Sequence, residues 1–233
     1  MGMMYGYIYE GTFKYDDFYQ SGDTYVLKPG RAAFSGENKT QPGMPKYKDI
    51  NGDGTIDSND RTFIGRGLPI HTGGFTNDFS YKGFDLSIFF QWSYGNDVLN
   101  ANRLFFENSN GKKELNQFAS YANRWTPENP ESDIPRAINS SSNNVVSSRV
   151  IEDASFLRLK TLTLGYTIPT KVLKNWKIAS ARVYVAGQNL WTLSGYSGYD
   201  PEVSIRSGAL TPGLDYSAYP RAYAVNFGVT LGF

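Results

Sequence analysis

Between Arg221 and Phe233 every second residue is apolar. Tyr223, Val225, Phe227, Val229, Leu231 and Phe233 alternate with Ala224, Asn226, Gly228, Thr230 and Gly232. Successive side chains of a strand point to opposite faces, so this pattern predicts a closing strand with one oily face. The same alternation runs over 84–94. Phe84, Leu86, Ile88, Phe90 and Trp92 oppose Asp85, Ser87, Phe89, Gln91 and Ser93, and only Phe89 breaks the rule. The Lys82-Gly83 breaker pairs that strand with 72–82. Over 157–168, Leu162, Leu164, Tyr166 and Ile168 share one face, but Leu157 and Leu159 fall on the other parity. That slip predicts a bulge or a strand start near Lys160-Thr161. Residues 181–193 read as a further strand after a short turn at 174–179, and 5–14 as one carrying aromatics.

These segments make an all-β chain of about six antiparallel strands, joined alternately by short turns and long polar connections. The long ones cover 15–48, 97–155 and 194–220. Within 97–155, Leu115, Phe118, Tyr121, Ala122 and Trp125 are spaced as on a helix, which predicts one short helix over 113–125. Two architectures use such strands. A soluble sandwich turns the oily faces onto a private core, and a transmembrane barrel turns them to lipid around a wet lumen. A membrane-crossing strand needs about 9–11 residues, and the closing strand is long enough. Short turns at one rim and long loops at the other is the barrel arrangement, but about six strands fall below the smallest single-chain barrel of about eight. The expectation is an open segment of a larger barrel. The tail also resembles the C-terminal assembly signal of bacterial outer-membrane barrels at Asn226, Gly228, Leu231 and Phe233.

Composition narrows the field. The 233 residues carry 23 basic and 22 acidic side chains, a net charge of +1, which gives no general pull toward nucleic acid. There is no cysteine, hence no disulfide framework. Tyrosine (17), phenylalanine (15) and glycine (24) favour strands and turns. No apolar run reaches the roughly 18 residues of a transmembrane helix, which says nothing against a barrel. Met1 to Tyr7 lacks the pattern of a signal peptide. With the rest of the chain looking exported, Met1 is expected not to be the natural start.

One loop carries candidate chemistry. Asp49-Ile50-Asn51-Gly52-Asp53-Gly54-Thr55-Ile56-Asp57-Ser58-Asn59-Asp60 matches the twelve-residue calcium loop. Asp49, Asn51 and Asp53 hold the first three ligand slots, and Gly54 the sharp turn. Thr55 offers its carbonyl, and Asp57 and Asp60 follow at the ninth and twelfth places. Asp rather than Glu at the twelfth place shortens the reach for bidentate binding. The other reading is a solvated turn, since Asp, Asn and Gly favour turns without metal. A bound ion is expected to be structural, because no flanking helices are evident.

Enzyme chemistry finds little support. His71 is the only histidine, so neither a triad nor a histidine zinc site can be assembled around it. Asp16, Asp17 and Asp23 lie in a turn-rich stretch that fixes no separation between them. Gly65-Arg66-Gly67 lacks the lysine and helix of a phosphate loop. Tyr196, Tyr199, Tyr216, Tyr219 and Tyr223 can stack on sugar rings or can form an interface girdle and loop packing.

Several segments together resemble the C-terminal part of SusC/RagA-like TonB-dependent outer-membrane transporters. They include Tyr25-Val26-Leu27-Lys28-Pro29-Gly30, Tyr47 to Gly54 with Asp60 to Gly65, and Arg124 to Pro130. Ala154 to Lys160 with Leu162 to Tyr166, Ala186 to Leu190, Tyr199-Asp200-Pro201-Glu202 and Tyr219-Pro220-Arg221 complete the set. The resemblance implies a bacterial outer-membrane barrel of about 22 strands filled by an N-terminal plug, opened through TonB and capped by a SusD-like lipoprotein. It implies import of glycans or peptides, lipid and the barrel-assembly machinery as further partners, and no catalytic residues. Residues 1–233 would then be the C-terminal barrel part, with plug and earlier strands absent and 49–60 an inserted loop. The rival expectation is a secreted, calcium-stabilised β-sandwich that binds carbohydrate, with Phe84, Trp92 and Phe227 in one core.

Overall fold

The computed structural model describes residues 2–36, 39–108, 115–139, 141–205 and 212–233. Its main sheet has five long strands: β1 (His71–Tyr81), β2 (Phe84–Tyr94), β3 (Phe156–Thr167), β4 (Ser180–Ser194) and β5 (Ala224–Gly232). They run antiparallel in the order β5-β4-β3-β2-β1, so each strand pairs with its neighbour in sequence.

The sheet has five strands where about six were expected, because residues 5–14 do not join it. They split into Met3–Gly6, which pairs with Thr62–Arg66, and Tyr9–Thr12, which pairs with Pro45–Tyr47. The tyrosine at the break, Tyr7, is buried with Tyr47 and Ile56 in a small core of its own. The helix expected over 113–125 begins on residues outside the described set. Its later part is a 3-10 turn at Ala119–Asn123, and an α-helix lies upstream at Ala101–Phe106. Asn100 caps that helix by accepting from the Arg103 N–H (3.4 Å). The spacing of Tyr121 and Trp125 reflects burial of both rings rather than one helix face.

The chain divides into two compact units. One gathers Met1–Leu68, Asp97–Glu152 and Ser204–Ala218. Its apolar clusters are Tyr7, Tyr47 and Ile56, and Phe13, Phe18 and Met44. Trp125 packs its indole against Gly43, where any side chain would collide with the ring and where φ is +83°. The other unit gathers Pro69–Asn96, Asp153–Val203 and Tyr219–Phe233, and holds the five-stranded sheet.

Within that second unit the sheet is a single layer. Phe84 and Phe227 are 52% and 81% exposed on the same face as Trp92, so the sandwich core expected by the rival reading is not formed. β1 and β2 join through Lys82-Gly83, both at positive φ (46° and 89°), as the right-handed twist of a hairpin favours. β3 and β4 join through the short segment 168–179, at the same end of the sheet. The opposite end receives every long segment: the chain before β1, 95–155 and 195–223.

Candidate functional site

The sheet itself is the functional surface, and its registers sort every side chain onto one of two faces. Cross-strand pairing aligns Tyr81, Phe84, Tyr166, Val183 and Val229 in one row. The next outward row is Phe79, Leu86, Leu164, Val185 and Phe227. Nearer the long-segment end, Phe75, Phe90, Leu159 and Trp191 line up. Rings pack across these rows, Phe84 on Tyr166 at 4.6 Å and Phe75 on Phe90 at 5.0 Å. The reverse face is mostly small or polar, with Phe89, Phe156 and Tyr184 as its large aromatics. Ser87, Thr163, Ala186 and Asn226 form one of its rows, and Gln91, Arg158 and Thr192 another.

A bulge keeps the oily face continuous. β3 carries Lys160 as an extra residue against β2, where the register steps from Phe89–Thr161 to Phe90–Leu159. On the β4 side it steps from Thr161–Gln188 to Leu159–Trp191, leaving Asn189 and Leu190 opposite Lys160. Asn189 sits in the left-handed region, at φ 52°. The extra residue flips the parity, which returns Leu157 and Leu159 to the face of Leu162 and Leu164. The slip expected near Lys160-Thr161 is this bulge.

The polar face holds a buried ion network that the sequence reading missed. Arg158 is 2% exposed. It donates to Asp200 Oδ1 (2.5 Å), Glu202 Oε2 (3.0 Å) and Thr192 Oγ1 (3.0 Å). Asp200 also accepts from the backbone N–H groups of Glu202 (3.0 Å) and Arg221 (3.1 Å). Glu202 is shared further with Lys160 and Arg221. The Tyr199-Asp200-Pro201-Glu202 segment is therefore clamped onto β3. Burial alone would raise the Asp200 pKa, but the Glu202 N–H, the Arg158 guanidinium and the Arg221 N–H together hold it below the ordinary carboxylate value. The available signal was an arginine between two outward leucines, with an acidic pair downstream. A second pair, Asp85 with Arg182, crosses β3 at Gly165, where a side chain would strike both partners.

The loop 49–60 closes on its own backbone. Asp49 accepts from the Gly52 and Gly54 N–H groups (2.7 and 2.8 Å), Asn51 from Asp53, Asp53 from Thr55, and Asp57 from Asn59. Asp60 is fully buried and accepts from the Ile50 and Asp57 N–H groups, both at 2.8 Å. Burial pushes its pKa up, but those N–H groups outweigh it and the net shift is downward. The oxygens suit a hard cation in type, and each keeps a further lone pair. Their arrangement is not yet that of a site, since no three acidic or histidine side chains gather to hold a metal among the described residues. His71 accepts from the Trp92 Nε1–H (3.1 Å) and stacks on Tyr94, a packing role at the end of β1. Asp17 is paired with Arg31 and Lys46 rather than with Asp16 or Asp23. Tyr196 is buried, while Tyr199 and Tyr219 are among the most exposed residues. Of the tail residues, Asn226 and Gly228 lie on the polar face, Leu231 on the oily one, and Phe233 is exposed beyond β5.

A sheet with one continuous oily face, one polar face, short turns at one end and long segments at the other is a wall segment of an outer-membrane β-barrel. No family model matches the chain. TonB-dependent receptor P3 of Formosa agariphila is 36% identical over 238 residues, covering 100% of this chain and 22% of the relative. TonB-dependent receptor SusC of Bacteroides thetaiotaomicron is 30% identical, covering 80% of this chain and 17% of the relative. The solved RagAB peptide transporter superposes with a TM-score of 0.71 at 26% identity, covering 99% of this chain and 22% of that one. The chain belongs with the SusC/RagA-like TonB-dependent receptors, which are outer-membrane transporters and not enzymes. It spans about a fifth of the length of the curated relatives it matches.

Proposed function

We propose that the chain forms part of the barrel wall of an energised outer-membrane importer of glycans or peptides, driven through TonB and working with a SusD-like lipoprotein. The observation that carries this reading is the two-faced sheet, joined to 36% identity with a TonB-dependent receptor along the whole chain. In this reading residues 1–233 are the C-terminal barrel part, and plug and earlier strands lie outside them. The oily face meets lipid, the polar face meets the lumen, and the long segments help to form the substrate chamber. Peptide cargo is favoured by the RagAB peptide transporter, which this chain resembles across 99% of its length. The test is made in the bacterium that carries the gene. An in-frame deletion of 71–233 is expected to abolish uptake of labelled oligosaccharides or peptides. Unchanged uptake of both would overturn the reading.

The loop 49–60 is proposed as a structural calcium loop through Asp49, Asn51, Asp53, Asp57, Asp60 and the Thr55 carbonyl. Its ligand spacing supports this, and binding would require the side chains to turn from their backbone partners. Calorimetry with calcium on the chain and on Asp53→Ala decides it, since equal heats from both remove the site. The tail residues Asn226, Gly228, Leu231 and Phe233 are proposed to be read by the barrel-assembly machinery, a role favoured by the place of β5 at the sheet edge.

A further inference from the structure

We propose that the short-turn end of the sheet is a docking surface for the anionic phospholipid headgroups of the periplasm-facing leaflet. The proposal rests on the membrane reading above. Lys82-Gly83 and the segment 168–179 meet at this end. The Thr167 N–H donates to the Gly83 carbonyl (2.7 Å), and the Ile168 N–H to the Ala181 carbonyl (2.9 Å). The two turns carry Lys82, Lys171, Lys174 and Lys177, all exposed, with no acidic side chain in 79–84 or 166–181. Among the described residues none of the four joins an ion pair, so their charges are free to meet an outside anion. The nearest carboxylate along β2, Asp85, is bonded to Arg182. The chain as a whole has a net charge of only +1, so the cluster does not reflect a generally basic composition.

Apolar groups accompany the lysines. Val172 and Trp176 are 63% and 75% exposed, while Leu173 is buried and fixes the turn. The Lys82 ammonium lies 5.1 Å from the Tyr81 ring centre, at the end of the oily face. Lysines beside exposed tryptophan and valine match the boundary between acyl chains and phosphates. Short turns of outer-membrane barrels face the periplasm, which assigns the patch to phospholipid rather than to the lipid A phosphates of the opposite leaflet.

Each lysine near an anionic surface is worth up to about fivefold in partitioning. The full chain in detergent is mixed with vesicles of phosphatidylcholine alone, of phosphatidylglycerol and phosphatidylcholine at about 1:3, or doped with lipid A, and co-flotation is measured at low and high salt. The expected result is a preference of tenfold or more for phosphatidylglycerol, lost at high salt. The fourfold Lys→Gln variant at 82, 171, 174 and 177 should lose it, and the fourfold Lys→Arg variant should keep it. A Gln variant that keeps the preference overturns the proposal, as does stronger binding to lipid A. Equal binding to all vesicles overturns the lysine docking and leaves the membrane reading standing. No association with any vesicle overturns both.

Discussion

Arg158 illustrates how one buried charge can organise a whole segment. Its guanidinium is satisfied by Asp200, Glu202 and Thr192, so truncation leaves the buried Asp200 without its cationic partner, while Glu202 keeps Lys160 and Arg221. Arg158→Ala is expected to cost on the order of 3–5 kcal/mol locally, the usual penalty for stripping one side of a buried pair. Hydrogen exchange at 196–203 would read it, and protection equal to that of the unchanged chain would refute the clamp. The Asp200 carboxyl is held below its ordinary pKa. A depressed acid lends stability that is present above its unfolded pKa of about 3.9 and disappears as pH falls through the folded value. The same amides should therefore stay protected from neutral pH down to about 4 and open below it. Opening already at pH 6 would assign the clamp to another group.

At the scale of the strand, face decides tolerance. Leu162 and Thr163 are neighbours in the middle of β3, on opposite faces. Leu162→Arg is expected to cost about 2–4 kcal/mol of folding stability in a bilayer, and Thr163→Arg far less. Denaturant titration of vesicle-folded protein measures both, and equal costs would contradict the assignment of faces. Gly165→Ala should separate Asp85 from Arg182, because the added methyl occupies the space their side chains cross. Loss of their coupling in a double-mutant cycle is the readout. The bulge at Lys160 was legible in the sequence because the leucines change parity there. The fate of 5–14 was not, since aromatic alternation is the same in a wall strand and in short ladders around a small core.

For the whole molecule, the single-layer sheet leaves Phe227, Val229 and Phe79 exposed, and among the described residues β1 and β5 each lack a strand partner on one side. Exposed oily faces and open strand edges drive association. The isolated chain is expected to need detergent and to aggregate without it. A monodisperse monomer in plain buffer, seen by sedimentation, would count decisively against a wall segment.

Alternation by itself determined the strands, their faces and the bulge, because side-chain direction along a strand depends only on parity. The sequence left open whether the oily rows close on one another or stay bare, since both outcomes use the same alternation. Tertiary structure decided that through the single-layer pairing order. It also decided what Arg158 does, because its acidic partners lie more than forty positions away (|i−j| of 42 and 44) and meet it only when the chain folds back onto β3.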